Sequence, residues 1–353
     1  MTDAPSEFER AGKGKKTKKV LLIVLCVLLA LLVLLVGTFF ALREIGRRRL
    51  LKDNTAASVP EEIMDIVDEI GTEITYKGQK YDRNENIVSL LLMGVDKENI
   101  QDNKNYGSNG QADVLIATTI DTKTGKICMI PLSRESMVEV DIYSVEGTKS
   151  KTEIQQICLA YAYGRSGEES CANVLRSAGR MLCGIELDSY IAMDMEGIKA
   201  LTGVVGGIEV VSIESFGDGS SAIKEGEKLL LTKDNVDRYI RGRETDMLAN
   251  NRRMQRQKQF MNAFINKAGN MVLKDFKKLT SFYNAAKPYT VSDLGLPEIT
   301  YLASCMLTAD IGNSIEYISI EGEMREGAEH TEFYPDVNSL FEAVLKAYYV
   351  PVE

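Results

Sequence analysis

Hydrophobic and polar positions divide the chain into one long apolar run and a series of shorter strand-like and helix-like segments. The run over residues 20–42 reads VLLIVLCVLLALLVLLVGTFFAL and holds no charged residue. It is long enough to cross a hydrocarbon core of about 30 Å. The apolar core of a cleavable signal peptide is shorter and precedes a small-residue cleavage motif. A buried core helix would need apolar neighbours, but basic clusters flank this run, so the pattern predicts one transmembrane helix.

Two shorter patterns follow the apolar run, and we group residues 43–84 as a linker. An apolar stripe at helical spacing predicts a short amphipathic helix that ends at Gly71. The stripe consists of Ile63, Ile66, Val67 and Ile70. The next segment, EITYKGQKYDRN, has strand-like pieces on both sides of a Lys-Gly turn. It therefore predicts a β-hairpin.

Residues 85–350 alternate unbroken apolar runs with amphipathic segments. The runs NIVSLLLMGVD, ADVLIATTID and GKICMIPLS are typical of strands that are buried on both faces. Helical patterns follow at 152–164, 168–183 and 195–204, and a longer one continues to about residue 269. Helices that alternate with buried strands indicate an α/β domain. We expect a layered α-β-α sandwich around a mixed central sheet, preceded by the transmembrane helix.

Composition disfavours several classes of catalytic site. The only histidine, His330, lies in the polar run EMREGAEHTEF. Ser-His-Asp and Cys-His nucleophile systems and zinc hydrolase sites all need positioned histidines, so we do not expect them. The cysteines form no C-x-x-C pair, which disfavours a metal site, and most are expected to be small buried residues. One disulfide among Cys158, Cys171 and Cys183 stays open as an alternative.

Charge is distributed unevenly along the chain. The net charge is −9, but residues 1–52 carry +7 and the remainder therefore carries −16. Six basic residues precede the apolar run and five follow it closely, which slightly favours a cytoplasmic N-terminus. An acidic domain is easier to place outside an anionic membrane leaflet than against its cytoplasmic face. We expect a cytoplasmic tail over 1–19 and a main domain on the other side of the membrane.

Charged side chains stand at the ends of the predicted buried strands, where the ligands of open α/β sheets gather. Asp96 follows the first strand, and Asp113 precedes the second, which could lie antiparallel to the first. Two facing carboxylates repel one another unless a cation lies between them. Mg²⁺, held by one or two carboxylates together with phosphate oxygens, would satisfy such a pair. Arg134 and Glu135 follow the third strand.

Arginines are concentrated in residues 238–260, RYIRGRETDMLANNRRMQRQKQF. Arg241 and Arg243 point to one side of an extended run. A second group, at helical spacing, shares one face of the following helix. That group is Arg253, Arg256 and Gln257. Guanidinium groups bind phosphate oxygens through paired hydrogen bonds, so several together can neutralise a pyrophosphate.

Two alternatives accompany this interpretation of the arginines. The helix could be a solvated surface that is stabilised by acids such as Glu244 and Asp246. A nucleic-acid surface is disfavoured because the domain is acidic elsewhere and only Tyr239 and Phe260 could stack on bases. The combination with the acids at the strand ends favours phosphate binding.

In order and spacing these segments resemble the LytR-CpsA-Psr family of Gram-positive cell-envelope proteins. The resemblance spans roughly residues 85–270 and includes LLLMGVD, ADVLIATTID, PLSRESMVEV, LAYAYG, DMEGIKALTGVVGGIEV, RYIRGRETD and RRMQRQKQF. It implies an extracytoplasmic sandwich domain that holds a polyprenyl chain in an apolar pocket. It also implies transfer of a glycopolymer, teichoic acid-like or capsular, from an undecaprenyl-pyrophosphate carrier to peptidoglycan with Mg²⁺. The helices after residue 152 would line the lipid pocket or form ordinary core.

The resemblance also implies roles for individual residues. Asp96 and Asp113 would bind the metal, and one of Asp113 and Glu135 would act as the base. The residues expected to hold the pyrophosphate are Arg134, Arg241, Arg243, Arg253, Arg256 and Gln257. The residues expected to take part in catalysis are Arg134, Glu135, Asp113 and Asp246. No nucleic-acid partner is implied.

The chain departs from the family pattern at several of these positions. Gln111 stands where an arginine is usual, and Glu135 replaces the aspartate of an Arg-Asp pair. Gln156 and Cys158 replace a lysine and an asparagine, and the loop after Arg243 is longer. Fewer cations would neutralise a pyrophosphate less well, which predicts reduced activity or a different donor or acceptor. The second hypothesis is therefore a scaffold or sensor that binds polyprenyl phosphates without turnover.

Overall fold

The computed structural model describes residues 36–51, 56–70, 73–97, 99–100, 110–217, 222–242, 249–306, 315–327 and 330–352. The expected cytoplasmic tail and residues 20–35 of the expected membrane span lie outside these ranges. Within them, every helix is too short or too polar to cross a bilayer.

The described elements are named here in chain order. The strands are β1 (Val67–Ile70), β2 (Glu73–Tyr76), β3 (Gln79–Arg83), β4 (Ile87–Val95), β5 (Ala112–Asp121), β6 (Ile127–Leu132), β7 (Met137–Tyr143), β8 (Lys149–Gln156), β9 (Ser189–Met193), β10 (Ile208–Val211), β11 (Lys228–Leu231), β12 (Thr290–Ser292), β13 (Ile315–Tyr317), β14 (Gly322–Glu326), β15 (Thr331–Pro335) and β16 (Tyr349–Pro351).

The α-helices are α1 (described over 36–50), α2 (Gly167–Met181), α3 (Met195–Val204), α4 (Val236–Arg241), α5 (Ala249–Lys274), α6 (Lys277–Ala286), α7 (Leu296–Met306) and α8 (Val337–Tyr348). Short 3₁₀ helices occupy Glu61–Ile66, Ile157–Tyr163 and Lys287–Tyr289.

A six-stranded mixed sheet forms the centre of the domain, in the order β12-β9-β4-β5-β6-β13. β4 runs antiparallel to β5 and parallel to β9. β6 is antiparallel to β5 and parallel to β13. Most residues of β4, β5 and β6 are buried, which agrees with their unbroken apolar runs. The predicted mixed central sheet is confirmed.

Helices cover both faces of this sheet, which explains why its strands are apolar on both sides. On one face, Val174 of α2 and Phe341 of α8 share a core with Leu91. On the other face, Tyr301 of α7 packs in a second core with Leu90. A third core joins α3, α4, α5 and α6 with the hairpin of β10 and β11. The described layers agree with the expected α-β-α sandwich.

Residues 61–70 do not form the predicted amphipathic helix. A 3₁₀ helix over Glu61–Ile66 is followed by strand β1, which pairs with β2. The stripe of β-branched residues suits a strand as well as a helix, and pairing with a neighbouring strand decides between them. The predicted hairpin is confirmed. It turns at Lys77 and Gly78, whose φ angles of 50° and 79° suit a two-residue hairpin.

The linker is attached to the end of the main domain through its hairpin. Strand β16 pairs antiparallel with β3, and Ile74 and Tyr76 of the hairpin lie in the same core as α8. The backbone N–H of Asn84 also donates to the carbonyl of Tyr348 at 3.0 Å. The segment before the central sheet is therefore packed against the last helix and strand.

Helix α1 is docked on α7 through a close backbone contact at Gly46. A Cβ added there would lie 2.2 Å from the carbonyl oxygen of Pro297. Nearby, Nη1 of Arg49 lies 3.0 Å from Oε1 of the buried Glu298, and Leu50 is buried. The last turns of α1 thus hold a fixed position on the domain.

Replacing Gly46 with alanine should lower the free energy of unfolding by about 1–3 kcal/mol, because the added methyl group overlaps the α7 backbone. Gly37→Ala is a matched control on the same helix, since nothing lies within 4 Å of a Cβ there. The control should be neutral or slightly stabilising because alanine favours helix. Denaturant unfolding of both variants measures the difference, and superimposable curves would contradict the docked contact.

The five cysteines outside the long apolar run are all free and buried. The set consists of Cys128, Cys158, Cys171, Cys183 and Cys305. The disulfide that was left open among the middle three is therefore not formed, and the expectation of small buried residues is met.

Candidate functional site

The carboxylates expected at the strand ends lie at one end of the central sheet. Val95 pairs with Ala112 across β4 and β5, so Asp96 leaves one strand where Asp113 enters the other. The backbone N–H of Asp96 donates to the carbonyl of Gln111 at 3.1 Å. The antiparallel pairing that the sequence left open is what brings the two acids to the same end.

Arg134 lies at this end among three polar side chains. One amino group of its guanidinium forms an ion pair with Asp113, and the other donates to Oε1 of Gln111 at 2.6 Å. Its Nε is 3.6 Å from Oε1 of Glu135. The Glu135 carboxylate also accepts a hydrogen bond from Ser133 Oγ at 2.8 Å. The side chain of Arg134 is only 20% exposed, so acids beside it offset the cost of its partial burial.

Arg241 reaches the same region from the last turn of α4. Its Nη2 is 3.1 Å from Oδ1 of Asp96, although 145 residues separate them in sequence. Its Nε is 3.7 Å from Oδ1 of Asp237, one helical turn earlier. The side chains of Arg241 and Asp96 are 51% and 54% exposed, so this ion pair is weak and open to an incoming ligand.

Arg256 lies in the interior instead of facing this site. It is 1% exposed, and its guanidinium donates to the carbonyl of Tyr239 at 2.7 Å and to the carbonyl of Gly242. Its Nε is 2.8 Å from Oε1 of Glu214, and its Cζ is 4.0 Å from the centre of the Phe216 ring. Burial and these partners occupy the guanidinium in this structure, which favours a positioning role, and its direct contact with a phosphate stays a prediction.

Gln257, like the neighbouring Arg256, donates a hydrogen bond to a backbone carbonyl of α4. Its Nε2 donates to the carbonyl of Ile240 at 3.2 Å. The last carbonyls of a helix have no partner within the helix. Side chains of α5 donate hydrogen bonds to these carbonyls of α4 and so fix the turn that carries Arg241. Arg253 is also buried, whereas Arg243 and Asp246 fall outside the described residues.

Glu214 is a site residue that no sequence pattern marked. It is buried, and its two carboxylate oxygens lie 2.7 Å from Nε of Arg252 and 2.8 Å from Nε of Arg256. It follows β10 as a single acid in SIESF, which is also typical of a surface loop. Helix α5 contains Arg252 and Arg256 but no acid, which was the available signal that their partner comes from another element.

Two residues that depart from the family pattern, Gln156 and Cys158, lie in the wall of the site. Nε2 of Gln156 donates to the carbonyl of Thr331 at 2.7 Å, at the start of β15. The N–H of Phe333 on the same strand donates to the carbonyl of Glu135 at 2.9 Å. Burial raises the pKa of Cys158 to about 11, and the nearby Arg134 only partly opposes this, so the thiol is neutral. These positions supply packing and hydrogen bonds but no charge.

The sequence matches the model of one protein family over most of its length. Residues 54–345 match the model of the LytR_cpsA_psr family. This chain belongs to that family.

Curated members of the family are similar to the chain over part of their length. TagV of Bacillus subtilis (strain 168), a polyisoprenyl-teichoic acid–peptidoglycan teichoic acid transferase, is 25% identical over 279 residues, covering 76% of this chain and 66% of TagV. TagU of Halalkalibacterium halodurans, which bears the same enzyme name, is 27% identical over 235 residues. The match covers 67% of this chain and 69% of TagU. The chain thus spans about two thirds of the length of these relatives.

Several solved structures share the fold of this chain. The crystal structure of TagV from Bacillus subtilis has a TM-score of 0.57 and 24% identity, and the match covers 74% of this chain and 95% of that one. A protein from Streptococcus agalactiae has a TM-score of 0.59 and 19% identity, and the match covers 76% of this chain and 91% of that one. TagT, solved bound to LI-WTA, has a TM-score of 0.54 and 17% identity, and the match covers 74% of this chain and 89% of that one.

The donor set at the sheet end fits a hard divalent cation. Asp96 and Asp113 contribute two carboxylates, each paired with an arginine in the structure. Among the described residues no group of three or more His, Cys, Asp and Glu side chains is arranged to hold a metal. Mg²⁺ is commonly held by one or two carboxylates, with water and substrate phosphate oxygens completing the octahedron. The pair therefore suits Mg²⁺ that arrives with a phosphorylated ligand.

Helix α2 packs as part of the core, with Cys171, Val174 and Ala178 fully buried against the sheet. The role of the helices after residue 152 in a lipid pocket stays a prediction. On the opposite face, apolar side chains that retain partial exposure include Leu92 and Val114 of the sheet and Met261 and Ile265 of α5. These four residues are called the partly exposed apolar face.

Proposed function

We propose that this protein transfers a glycopolymer, teichoic acid-like or capsular, from a polyprenyl-pyrophosphate carrier to peptidoglycan. The observation that carries the proposal is the meeting of Arg241 with Asp96, beside the Arg134–Asp113 pair, at one end of the sheet. Guanidinium groups next to metal-binding carboxylates are the groups that a pyrophosphate needs. The names of the curated relatives support the same reaction.

In this proposal Arg134 and Arg241 exchange their present carboxylate partners for oxygens of the pyrophosphate. Arg243 is proposed as a third ligand. A sugar hydroxyl of the acceptor attacks the phosphorus that bears the glycopolymer. The bond to the bridging oxygen breaks, and polyprenyl phosphate leaves with that oxygen. The two guanidinium groups stabilise the negative charge that develops on the leaving phosphate, which is the main task in phosphoryl transfer.

Glu135 is the proposed general base. Its carboxylate lies 3.6 Å from Arg134 and accepts a hydrogen bond from Ser133, whereas Asp113 pairs directly with Arg134 and is a candidate metal ligand. A carboxylate that is less strongly paired is the better proton acceptor. Asp96 and Asp113 would hold Mg²⁺, which supplies positive charge to the pyrophosphate when bound.

The proposal includes the membrane. Residues 20–42 would span the bilayer, with the N-terminal tail in the cytoplasm and the main domain outside, where peptidoglycan lies. The docking of α1 on α7 would hold the domain close to the bilayer surface. The partly exposed apolar face that includes Leu92 and Val114 would receive the polyprenyl chain.

A transfer assay tests the function directly. The full chain in detergent is mixed with a polyprenyl-pyrophosphate-linked glycan, Mg²⁺ and peptidoglycan fragments, and the polymer joined to the fragments and the polyprenyl phosphate released are quantified. Both products are expected in equal amounts. Donor binding without either product would instead support the scaffold hypothesis, which is favoured by the uncharged Gln111 and Gln156 beside the site.

Gln111→Arg should raise kcat/KM for the polyprenyl-linked donor about tenfold, equivalent to about 1.4 kcal/mol of transition-state stabilisation. The new guanidinium would stand beside Arg134, where Gln111 now only accepts a hydrogen bond. Gln79→Arg, on the exposed β3, adds the same charge away from the site and should leave kcat/KM unchanged. Equal kinetics for wild type and Gln111→Arg would show that the missing cation does not limit turnover.

A further inference from the structure

A polar cleft of about 550 Å³ lies between α3 and the start of α4. Its lining includes Glu196, Lys199 and Gly203 of α3, Lys233 and Asp237 near the start of α4, and Tyr289. A volume of this size is typical of small-molecule sites. Nothing in the proposed transfer of phosphate uses these side chains.

The cleft adjoins the sheet end that holds the candidate site. Asp237 belongs to both, because it lines the cleft and its Oδ1 is 3.7 Å from Nε of Arg241. Helix α3 begins directly after β9, which runs parallel to β4 and ends beside it. Its N-cap residue, Asp194, accepts a hydrogen bond from the N–H of Ile100, in the segment that follows Asp96. A ligand in the cleft would therefore lie next to Arg241.

The lining distinguishes between kinds of ligand. With Asp234, three carboxylates line the cleft against two ammonium groups, so the cleft is unsuited to a pyrophosphate. Its charged walls are also unsuited to a lipid chain. Carboxylates accept hydrogen bonds from hydroxyl and amide groups, and lysines donate to carbonyl and carboxylate oxygens. The half-buried Tyr289 adds an aromatic surface for an apolar sugar face. This set matches an amide-bearing and carboxylate-bearing glycan.

We propose that this cleft binds the acceptor glycan strand of peptidoglycan. The inference rests on the proposed transfer reaction and adds the place of its second substrate. A strand seated along α3 brings its hydroxyl groups past Asp237 to Arg241. Donor and acceptor thus approach the phosphate from different elements of the fold.

Filling the cleft tests the proposal with little disturbance of the fold. Nothing lies within 4 Å of a Cβ built on Gly203, so a phenylalanine side chain there can occupy the open cleft. Gly203→Phe should raise KM for peptidoglycan fragments about tenfold or more, while KM for the lipid-linked donor stays unchanged. Gly203→Ala makes the same backbone change with a much smaller side chain and should raise the acceptor KM far less than Gly203→Phe.

Lys233→Glu provides a second variant on an exposed position that is independent of packing. It should weaken acceptor binding several-fold if carboxylates of the glycan contact Lys233. An unchanged acceptor KM in a folded Gly203→Phe enzyme would overturn the proposal while leaving the transfer function intact.

Calorimetric titration of the full chain with the same fragments separates the two ideas further. Binding that Gly203→Phe removes would support the cleft even if wild type shows no transfer, which would refute only the proposed function. Wild type that transfers polymer, with titration curves that Gly203→Phe leaves unchanged, would refute the cleft.

Discussion

Arg241→Ala should lower kcat/KM for transfer from a lipid-linked donor by about 10²–10³-fold, the usual effect of removing one group that stabilises developing charge. Arg241 is the cation that the distant α4 contributes to the sheet end, and its half-exposed pair with Asp96 can be exchanged for a phosphate. The fold should be unaffected, because exposed ion pairs contribute little to stability. Steady-state kinetics and thermal unfolding of the same preparation measure both effects.

Arg238→Ala is the matched control for this variant. Arg238 is exposed on the same helix, three residues earlier, and is not among the residues that meet at the sheet end. Its removal should change neither KM nor kcat by more than about twofold. Arg241→Lys keeps the charge but not the paired donors, and should recover only part of the rate. Wild-type kinetics in Arg241→Ala would remove Arg241 from the proposed mechanism.

Arg256→Met should lower the free energy of unfolding by about 3 kcal/mol, because it removes one partner of a buried ion pair. The change leaves the carboxylate of Glu214 with Arg252 alone and frees the carbonyls of Tyr239 and Gly242. It should also lower activity, since those carbonyls hold the turn that carries Arg241. Urea unfolding, followed by kinetics at temperatures well below the transition, measures the two consequences.

The double variant Glu214→Leu/Arg256→Met separates the loss of stability from the loss of the hydrogen bonds that Arg256 donates to the α4 turn. Replacing both members of a buried pair with apolar residues is often neutral or stabilising, so the double variant should regain most of the lost stability. The carbonyls of Tyr239 and Gly242 still lack the guanidinium in the double variant, so activity should stay low although stability recovers. Full activity of the double variant would show that Arg256 is not needed to hold the turn that carries Arg241.

The sequence contained the architecture of the central sheet and the position of the acids. Unbroken apolar runs required strands that are covered on both faces, and both faces are covered. Asp96 follows β4 and Asp113 lies at the start of β5. Because these strands pair antiparallel, both acids lie at the same end of the sheet. A Lys-Gly pair between strand-like segments demanded a hairpin turn, since Gly78 takes a positive φ without strain. Each of these follows from interactions that are local or repeat along one element.

Only the tertiary structure decided what the helical arginines do. Arg253, Arg256 and Gln257 share the spacing of a solvated face, of a phosphate-binding face and of a buried face. Arg256 and Gln257 pack inward because their partners come from elsewhere in the sequence. These partners are the carboxylate of Glu214 and the free carbonyls of α4. The same holds for residues 61–70, which pair as a strand because β2 is available beside them. A side chain's period along the chain shows which neighbours it shares a face with, but the free energy of burying a charge depends on what lies opposite, and that is set by the fold.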